Sequence, residues 1–160
     1  MVVNETHSLR GSIIMYGMIM LEAPTMILMI VLWQTGYLGE SGPYIVLSMI
    51  ALMVLLLFLL INIRLELRID DQGITYRNPP FINKWRKIRK EDILHIDLKK
   101  INGMFEYGGV GIKKSLRQTA YVYLTDHVIE IKLPKKKLVF STEKPHEVKK
   151  MIMDWNQIEI

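Results

Sequence analysis

Two long apolar runs occupy the first third of the chain, and an alternating pattern of apolar and charged residues occupies the remainder. The run from Tyr44 to Ile63 contains no charged residue and no proline, and its polar members are Ser48 and Asn62. A helix of this length measures about 30 Å, which is the hydrocarbon thickness of a bilayer. A helix in a soluble core would show a polar stripe, and this run shows none. The pattern therefore predicts a transmembrane helix over residues 44–63.

An earlier apolar run, residues 13–33, predicts another membrane helix over about residues 13–34. Glu22 and Pro24 interrupt this run, so two placements fit it. In the first, the helix spans the whole run, and the Glu22 carboxyl lies near mid-membrane, protonated or facing the partner helix. In the second, Glu22 lies at the interface, Pro24 opens the helix, and the span continues to about residue 37 or 39. The cost of burying a carboxylate favours the second placement, whereas the hydrophobicity ahead of Glu22 favours the first, which we adopt.

Glu22 is a candidate intramembrane polar site, because ionisable residues inside a membrane often mark proton or ion pathways. The simpler interpretation is a tolerated polar residue beside a proline kink, with its carboxyl turned into the hairpin. The two predicted helices contain no second acid or base that would form a relay. The simpler interpretation is therefore favoured.

Residues 35–43 connect the two runs and contain three glycines and one proline, which predicts a short turn. Helices joined so closely run antiparallel, so both chain termini lie on one side of the membrane. The turn has no Lys or Arg, whereas Arg64, Arg68 and Arg77 follow the second run. The positive-inside rule then predicts a multi-pass membrane protein with both termini in the cytoplasm. Residues 1–12 are mixed and polar, which predicts a short N-terminal lead.

Beyond the hairpin, assigned to residues 13–64, the period of the pattern changes from helical to two. Alternation of apolar and polar residues indicates half-buried strands, and turn residues separate seven of them. The predicted strands cover residues 64–70, 74–78, 82–90, 93–101, 119–125, 128–133 and 137–142. A C-terminal amphipathic helix follows. Its apolar stripe consists of Val148, Met151, Ile152 and Trp155. Residues 65–160 are therefore predicted to form a mainly-β sandwich or barrel of about seven antiparallel strands with a C-terminal helix.

Charge is distributed unevenly between the two parts of the chain. Residues 64–160 contain 20 Lys and Arg against 13 Asp and Glu, a net charge of +7, whereas the first 63 residues carry −2. This asymmetry is typical of an anchor followed by a basic soluble domain. The chain has no cysteine, which excludes disulfides, thiolate metal sites and cysteine nucleophiles. Its four histidines lack the paired spacing of zinc sites, and it has no nucleophile elbow. We expect no metal, no cofactor and no enzymatic activity.

The order of elements, a small β-sandwich or barrel closed by a terminal amphipathic helix, resembles the pleckstrin-homology-like (PH-like) fold. The likeness is more particular in one loop, where residues 106–113 read EYGGVGIK. This loop resembles the Gly-Gly-Trp-Gly-Ile-Arg signature of small bacterial membrane proteins that have two N-terminal helices and a PH-like domain. Val110 stands in place of the aromatic residue, and Lys113 in place of the arginine. Further similar landmarks are residues 71–77, 91–93 and 141–145. The resemblance implies a PH-like domain after the hairpin and implies no established catalytic activity.

The glycines of this loop, Gly108, Gly109 and Gly111, invite comparison with phosphate-binding loops. Such loops need a preceding strand and a helix that opens on the glycines, and here the surroundings are strands and loop. Glycines that permit positive φ and close backbone packing explain the motif better. Three basic residues beside the loop are candidates for binding an anion or a lipid phosphate: Lys113, Lys114 and Arg117.

A basic run on the third predicted strand is the main candidate for contact with an anionic leaflet. Cations held near such a surface contribute about 1 kcal/mol each. The candidates are Lys84, Trp85, Arg86, Lys87 and Arg89. The alternative is an ordinary solvated face, with Trp85 in the core of its strand. A sequence pI of 9.4 would also permit nucleic-acid binding, but no reading motif accompanies it, so we expect none.

Together the patterns and the resemblance favour a membrane-anchored PH-like binding or scaffolding module that acts at the cytoplasmic face of a bacterial inner membrane without catalysis. Its expected partners are the lipid bilayer, anionic lipid headgroups and an unidentified protein. Two alternatives remain. One is an accessory subunit of a larger membrane complex, which would bind through the hairpin. The other is a small ion or proton conductor organised around Glu22.

Overall fold

The computed structural model describes residues 2–101 and 109–157, and for residues 156 and 157 it describes the backbone alone. The chain divides into two compact units. One consists of Leu9–Ile63, and the other combines the chain up to Ser8 with the chain from Arg64 onward.

The apolar unit consists of two long helices. The first, α1, covers Ile13–Gln34 and begins at Ser12, whose side chain accepts a hydrogen bond from the backbone N–H of Met15 at 3.3 Å. A short 3₁₀ turn, Gly39–Ser41, leads into α2, which covers Gly42–Asn62. Both helices are long and apolar enough to cross a membrane. The predicted spans, 13–34 and 44–63, therefore correspond to helices.

Pro24 lies inside α1 and does not open it, so the helix has the bounds of the first of the two placements. The half-buried positions of the two helices recur at helical spacing, as expected where each helix faces its partner. On α1 they include Met15, Met18, Glu22, Met26 and Met29. On α2 they include Met49, Met53, Leu57 and Leu60. Methionine fills irregular gaps well, which explains why this seam is rich in it.

The second unit is a β-sandwich of two sheets, with nine strands among the described residues. The four-stranded sheet has the order β1-β2-β3-β4, and its strands are Val3–Ser8, Arg64–Asp70, Gly73–Asn78 and Ile82–Arg89. The five-stranded sheet has the order β5-β8-β9-β7-β6. In chain order, β5 to β9 cover His95–Lys100, Gly111–Lys114, Gln118–Val122, His127–Lys132 and Lys137–Thr142. A terminal helix, α3, covers Pro145–Gln157.

The structure corrects two expectations about this unit. Residues 3–8 form β1, which pairs antiparallel with β2 from Val3 opposite Ile69 to Ser8 opposite Arg64, and so they are part of the sheet rather than a lead. Within residues 2–101 and 109–157 the strands number nine rather than about seven, because β1 and the short β6 join the seven predicted ones. They are not all antiparallel, since β7 and β9 run parallel.

Aromatic and aliphatic side chains from both sheets fill the space between them. The rings of Tyr76 and Phe140 lie 4.8 Å apart, and Tyr121 stacks on Phe140 at 5.2 Å. Of the predicted stripe on α3, Val148, Met151 and Trp155 are buried, and Ile152 is half-buried. The stripe therefore covers the core as its spacing predicts.

Candidate functional site: a basic groove on the sandwich

A groove of about 550 Å³ lies between β4 and the turn that joins β8 to β9. On one side, β4 places Arg86 opposite Tyr76 and Ile88 opposite Ile74 in the antiparallel register with β3. Cross-strand partners point to the same face of a sheet. Arg86 is therefore on the inner face of its sheet, above the buried Tyr76.

The opposite side of the groove is the turn after β8. The backbone N–H of Leu133 donates to the carbonyl oxygen of Lys136 at 2.9 Å, which closes the turn around Pro134. This closure holds Lys135 and Lys136 at the groove, across from Arg86 and Lys87 of β4. Two elements that are about 50 residues apart in the sequence thus supply the four cations.

The floor of the groove is apolar. Tyr76 and Leu138 are 2% and 1% exposed, and Ile88 is also buried. Leu133 and Pro134 complete this surface. A concave site with an apolar lining and a few polar groups at its edge is the usual form of a small-ligand site in proteins.

The groove carries an excess of positive charge. Four of its lining residues are cationic, and one, Asp92, is acidic. Lys87 donates a hydrogen bond from Nζ to Oε1 of Gln72 at 2.7 Å. Within the described ranges, none of the four cations forms an ion pair. Elsewhere on the sandwich cations form ion pairs: the Nζ atoms of Lys99 and Lys137 each lie 2.7 Å from a carboxylate oxygen of Glu130.

The hydroxyl of Tyr121, whose ring lies beside that of Tyr76, stays neutral. Burial raises the pKa of Tyr121, and the neighbouring Tyr76 raises it further, while the positive charge of Arg86 lowers it only in part. Tyr121 therefore contributes no negative charge to the groove, and the field there is that of the four cations and Asp92.

The five β4 candidates differ in their relation to the groove, and strand face alone does not decide it: Lys87, opposite Thr75, points to the other face from Arg86, although both residues border the groove. Arg86 and Lys87 line the groove, whereas Lys84, Trp85 and Arg89 do not. Trp85 is 49% exposed, and the guanidinium of Arg77 lies 4.6 Å from its ring centroid, a cation–π contact on the outer face. Trp85 is therefore neither a core residue nor part of the groove.

The candidates near the glycine loop lie apart from the groove. Lys113 and Lys114 belong to β6, and Arg117 lies in the turn that follows it. Gly109 and Gly111 have φ angles of +97° and +113°, as expected for glycines that permit a left-handed backbone. Gly108 lies outside the described residues.

Glu22 lies on α1, on the side that faces α2. Its Oε2 atom is inaccessible to solvent and has no hydrogen-bond partner among the residues that the structure describes. The carboxyl is thus turned into the hairpin, as the simpler interpretation of the sequence holds.

A polar cluster that the sequence pattern does not reveal lies between the two sheets. Glu5 of β1 accepts hydrogen bonds from the hydroxyl of Thr142 at 2.6 Å and from the backbone N–H of Glu143 at 2.8 Å, and its Oε2 lies 3.0 Å from Nε2 of His7. Burial by itself raises the pKa of Glu5. The hydrogen bonds from His7, Thr142 and Glu143 outweigh this effect, so its pKa lies below the ordinary value.

A second polar contact also joins the two sheets. Asn78 at the end of β3 is fully buried, and its Nδ2 donates to the carbonyl oxygen of Arg64 at 2.9 Å and to the hydroxyl of Tyr123 at 2.6 Å. The Asn78–Tyr123 bond and those of Glu5 attach β3 and β1 to the five-stranded sheet. They hold the fold together rather than form an open site.

Within residues 2–101 and 109–157, no group of three or more His, Asp or Glu side chains is placed to hold a metal ion. Comparison of the chain with protein-family models, with curated proteins and with solved structures found no match. The site is therefore interpreted from its own geometry.

Proposed function

We propose that this protein is a membrane-anchored binding module without catalytic activity. In this proposal α1 and α2 cross a bacterial inner membrane, and the sandwich acts at its cytoplasmic face by binding anionic lipid. The observation that carries it is the concentration of four cations around one groove, with a single acidic residue, in a chain that also has two membrane-length apolar helices.

The orientation rests on the distribution of charge. The turn between the helices carries Glu40 and no cation, whereas the sandwich that both helices connect to is basic. The positive-inside rule places such a sandwich in the cytoplasm, where anionic lipids give the leaflet a negative surface potential. Each cation close to that surface contributes about 1 kcal/mol, and the attraction falls off within a Debye length.

A PH-like identity for the sandwich is part of the same proposal. Two stacked sheets followed by a C-terminal helix that packs on them support it. The sandwich also contains one parallel pair, β7 with β9. Its strand β1 precedes the hairpin in the chain and pairs with β2.

The test compares the full chain in nanodiscs of neutral lipid with the full chain in nanodiscs that also contain anionic lipid. We expect anionic lipid to slow amide hydrogen exchange in β4 and in the turn after β8, and added salt to reverse the effect because it screens the charges. Arg86→Glu combined with Lys87→Glu should remove this protection, since two attractive charges become repulsive.

The matched control is Lys149→Glu combined with Lys150→Glu, which makes the same change in net charge on exposed positions of α3. We expect this variant to retain the protection. If lipid charge leaves exchange in β4 of the unmodified chain unaltered, the proposal is wrong. If instead a protein co-purifies from native membranes and protects α1 and α2 while β4 stays unprotected, the accessory-subunit alternative replaces it.

A further inference from the structure

The groove is larger and more apolar than the binding of a simple anion requires. Its volume of about 550 Å³ lies in the range of sites that hold a small organic molecule. An inorganic phosphate would fill a small part of that space and would leave the apolar floor against water. The shape therefore favours a ligand with an apolar part as well as a charged one.

The charged part of the ligand follows from the arrangement of the cations. Arg86 supplies a planar guanidinium, which binds phosphate through two parallel hydrogen bonds. Lys135 and Lys136 approach from the opposite wall, so a phosphate between the walls would meet cations on two sides. A phosphate monoester, with nearly two negative charges at neutral pH, matches this excess better than a carboxylate.

The apolar part follows from the floor. The half-buried Leu133 and the exposed Pro134, backed by the buried Ile88 and Leu138, offer a surface on which the glycerol and first acyl carbons of a lipid would be removed from water. Each CH₂ group buried there contributes about 0.8 kcal/mol. The cations at the rim and this floor together form an amphipathic site.

We infer that the groove between β4 and the β8–β9 turn binds one molecule of a phosphate-monoester amphiphile, of the chemical class of phosphatidic acid. This inference rests on the proposed function and makes it more specific, because a diffuse attraction to the leaflet needs no single bound molecule. The same chemistry has two sources, the intact lipid and its water-soluble headgroup glycerol 3-phosphate, and the floor selects the lipid.

Native mass spectrometry of the full chain, released from neutral detergent, counts bound lipids one by one. With phosphatidic acid as the probe, we expect a first adduct that persists at lipid concentrations where phosphatidylcholine adducts are lost. Lys135→Glu combined with Lys136→Glu should lower the occupancy of this adduct at least about tenfold, since two charges that attract the phosphate become repulsive. The matched control, Lys149→Glu combined with Lys150→Glu, should leave it unchanged.

The two sources are separated by calorimetric titration of the full chain with glycerol 3-phosphate and with inorganic phosphate. Both should bind at least about tenfold more weakly than short-chain phosphatidic acid, because they leave the floor unused. Leu133→Ser keeps every cation and should weaken the lipid while leaving glycerol 3-phosphate unaffected. Equal affinity for lipid and inorganic phosphate would overturn the inference, as would equal losses in the groove variant and the α3 control.

The proposed function and this inference can fail separately. If anionic nanodiscs protect β4 from exchange but no specific phosphatidic acid adduct forms, the sandwich binds the leaflet as a charged surface, and the single-molecule site is wrong. If neither effect is seen, both are wrong.

Discussion

At the scale of the residue, Glu5 and His7 determine how β1 is held. Both point inward from a strand whose other inward side chain is the apolar Val3, and both are buried. A buried carboxylate without partners is costly, but three hydrogen bonds satisfy Glu5, two of them from Thr142 and Glu143 at the end of β9. The N-terminal strand is therefore fastened to the far sheet by polar contacts.

Replacing this carboxylate should loosen β1. In Glu5→Gln the amide NH₂, which can only donate, replaces a carboxylate oxygen that accepts a hydrogen bond, so one buried donor loses its acceptor. We therefore expect the free energy of unfolding to fall by about 2 to 3 kcal/mol. Amide hydrogen exchange in β1 of the full chain in detergent measures this change. Thr6→Val, on the exposed face of the same strand, is the matched control and should change exchange little.

The same variant should lose a pH dependence. Because the pKa of Glu5 is lower in the folded chain than its ordinary value of 4.5, its ionised form stabilises the fold. This contribution is complete above that ordinary value and is lost as the pH falls through the lowered pKa. The protection factors of the β1 amides, which compare measured exchange with the intrinsic rate at each pH, should therefore fall as the pH is lowered below 4.5 more in the unmodified chain than in Glu5→Gln. Parallel pH profiles for the two proteins would contradict this assignment.

At the scale of the element, alternation of hydrophobic residues predicts strands whose inward positions are apolar. It predicts the other three strands of the four-stranded sheet, where Leu65, Leu67 and Ile69 of β2 alternate with charges. It fails for β1, because Glu5 and His7 occupy inward positions and remove the apolar period. A short strand that begins at the positive-φ Gly111 is missed for a related reason, since glycine is uncommon in strands.

The groove is a further case in which local pattern is insufficient. The basic run of β4 is evident in the sequence, and two of its candidates, Arg86 and Lys87, line the groove. The run does not alternate cleanly between apolar and polar residues, so its sequence does not indicate which side chains face inward. In the structure five consecutive positions from Asn83 are exposed. That Lys135 and Lys136 face them depends on sheet order, which arises from long-range pairing that periodicity does not encode.

The turn between β2 and β3 depends on one glycine. Gly73 has φ +140°, and a Cβ atom there would overlap the carbonyl oxygen of Ile88 in the neighbouring strand. Gly73→Ala therefore combines backbone strain of about 1 to 3 kcal/mol with a steric clash, and should displace β4 from β3. We expect a fall in thermal stability larger than that of Gly111→Ala. Gly111 has φ +113° but open space around it, so it isolates the backbone term.

Thermal unfolding of the purified full chain, followed by circular dichroism in the strand region, compares these two glycine variants. Because Gly73→Ala also moves Arg86 and Lys87, it should weaken phosphatidic acid binding, whereas Gly111→Ala should not. Equal stability of the two variants would show that the overlap with Ile88 is relieved by a small shift of the strand.

At the scale of the whole molecule, the apolar hairpin is an insertion between two neighbouring strands of one sheet. The chain leaves the four-stranded sheet at Ser8 and returns at Arg64, and these two residues are register partners. Antiparallel strands paired in this way can be joined by a turn of only two residues. We therefore expect the sandwich to form without residues 9–63. The sandwich is thus assembled from chain on both sides of a membrane-length segment.

This topology predicts that the hairpin can be replaced by a short turn. A chain in which Asn-Gly joins Ser8 directly to Arg64 should be soluble and monomeric, with the strand content of the parent sandwich, because β1 and β2 then form an ordinary β-hairpin.

A chain that begins at Arg64 lacks β1. It removes the partner strand of β2 and leaves the Thr142 hydroxyl and the Glu143 N–H without the Glu5 carboxylate. We expect it to be less stable by several kcal/mol and to aggregate, since unpaired edges invite further strand pairing. Urea unfolding and size-exclusion chromatography of the two chains measure the difference. Equal stability would mean that β1 contributes little, and that the sandwich is complete from Arg64 onward.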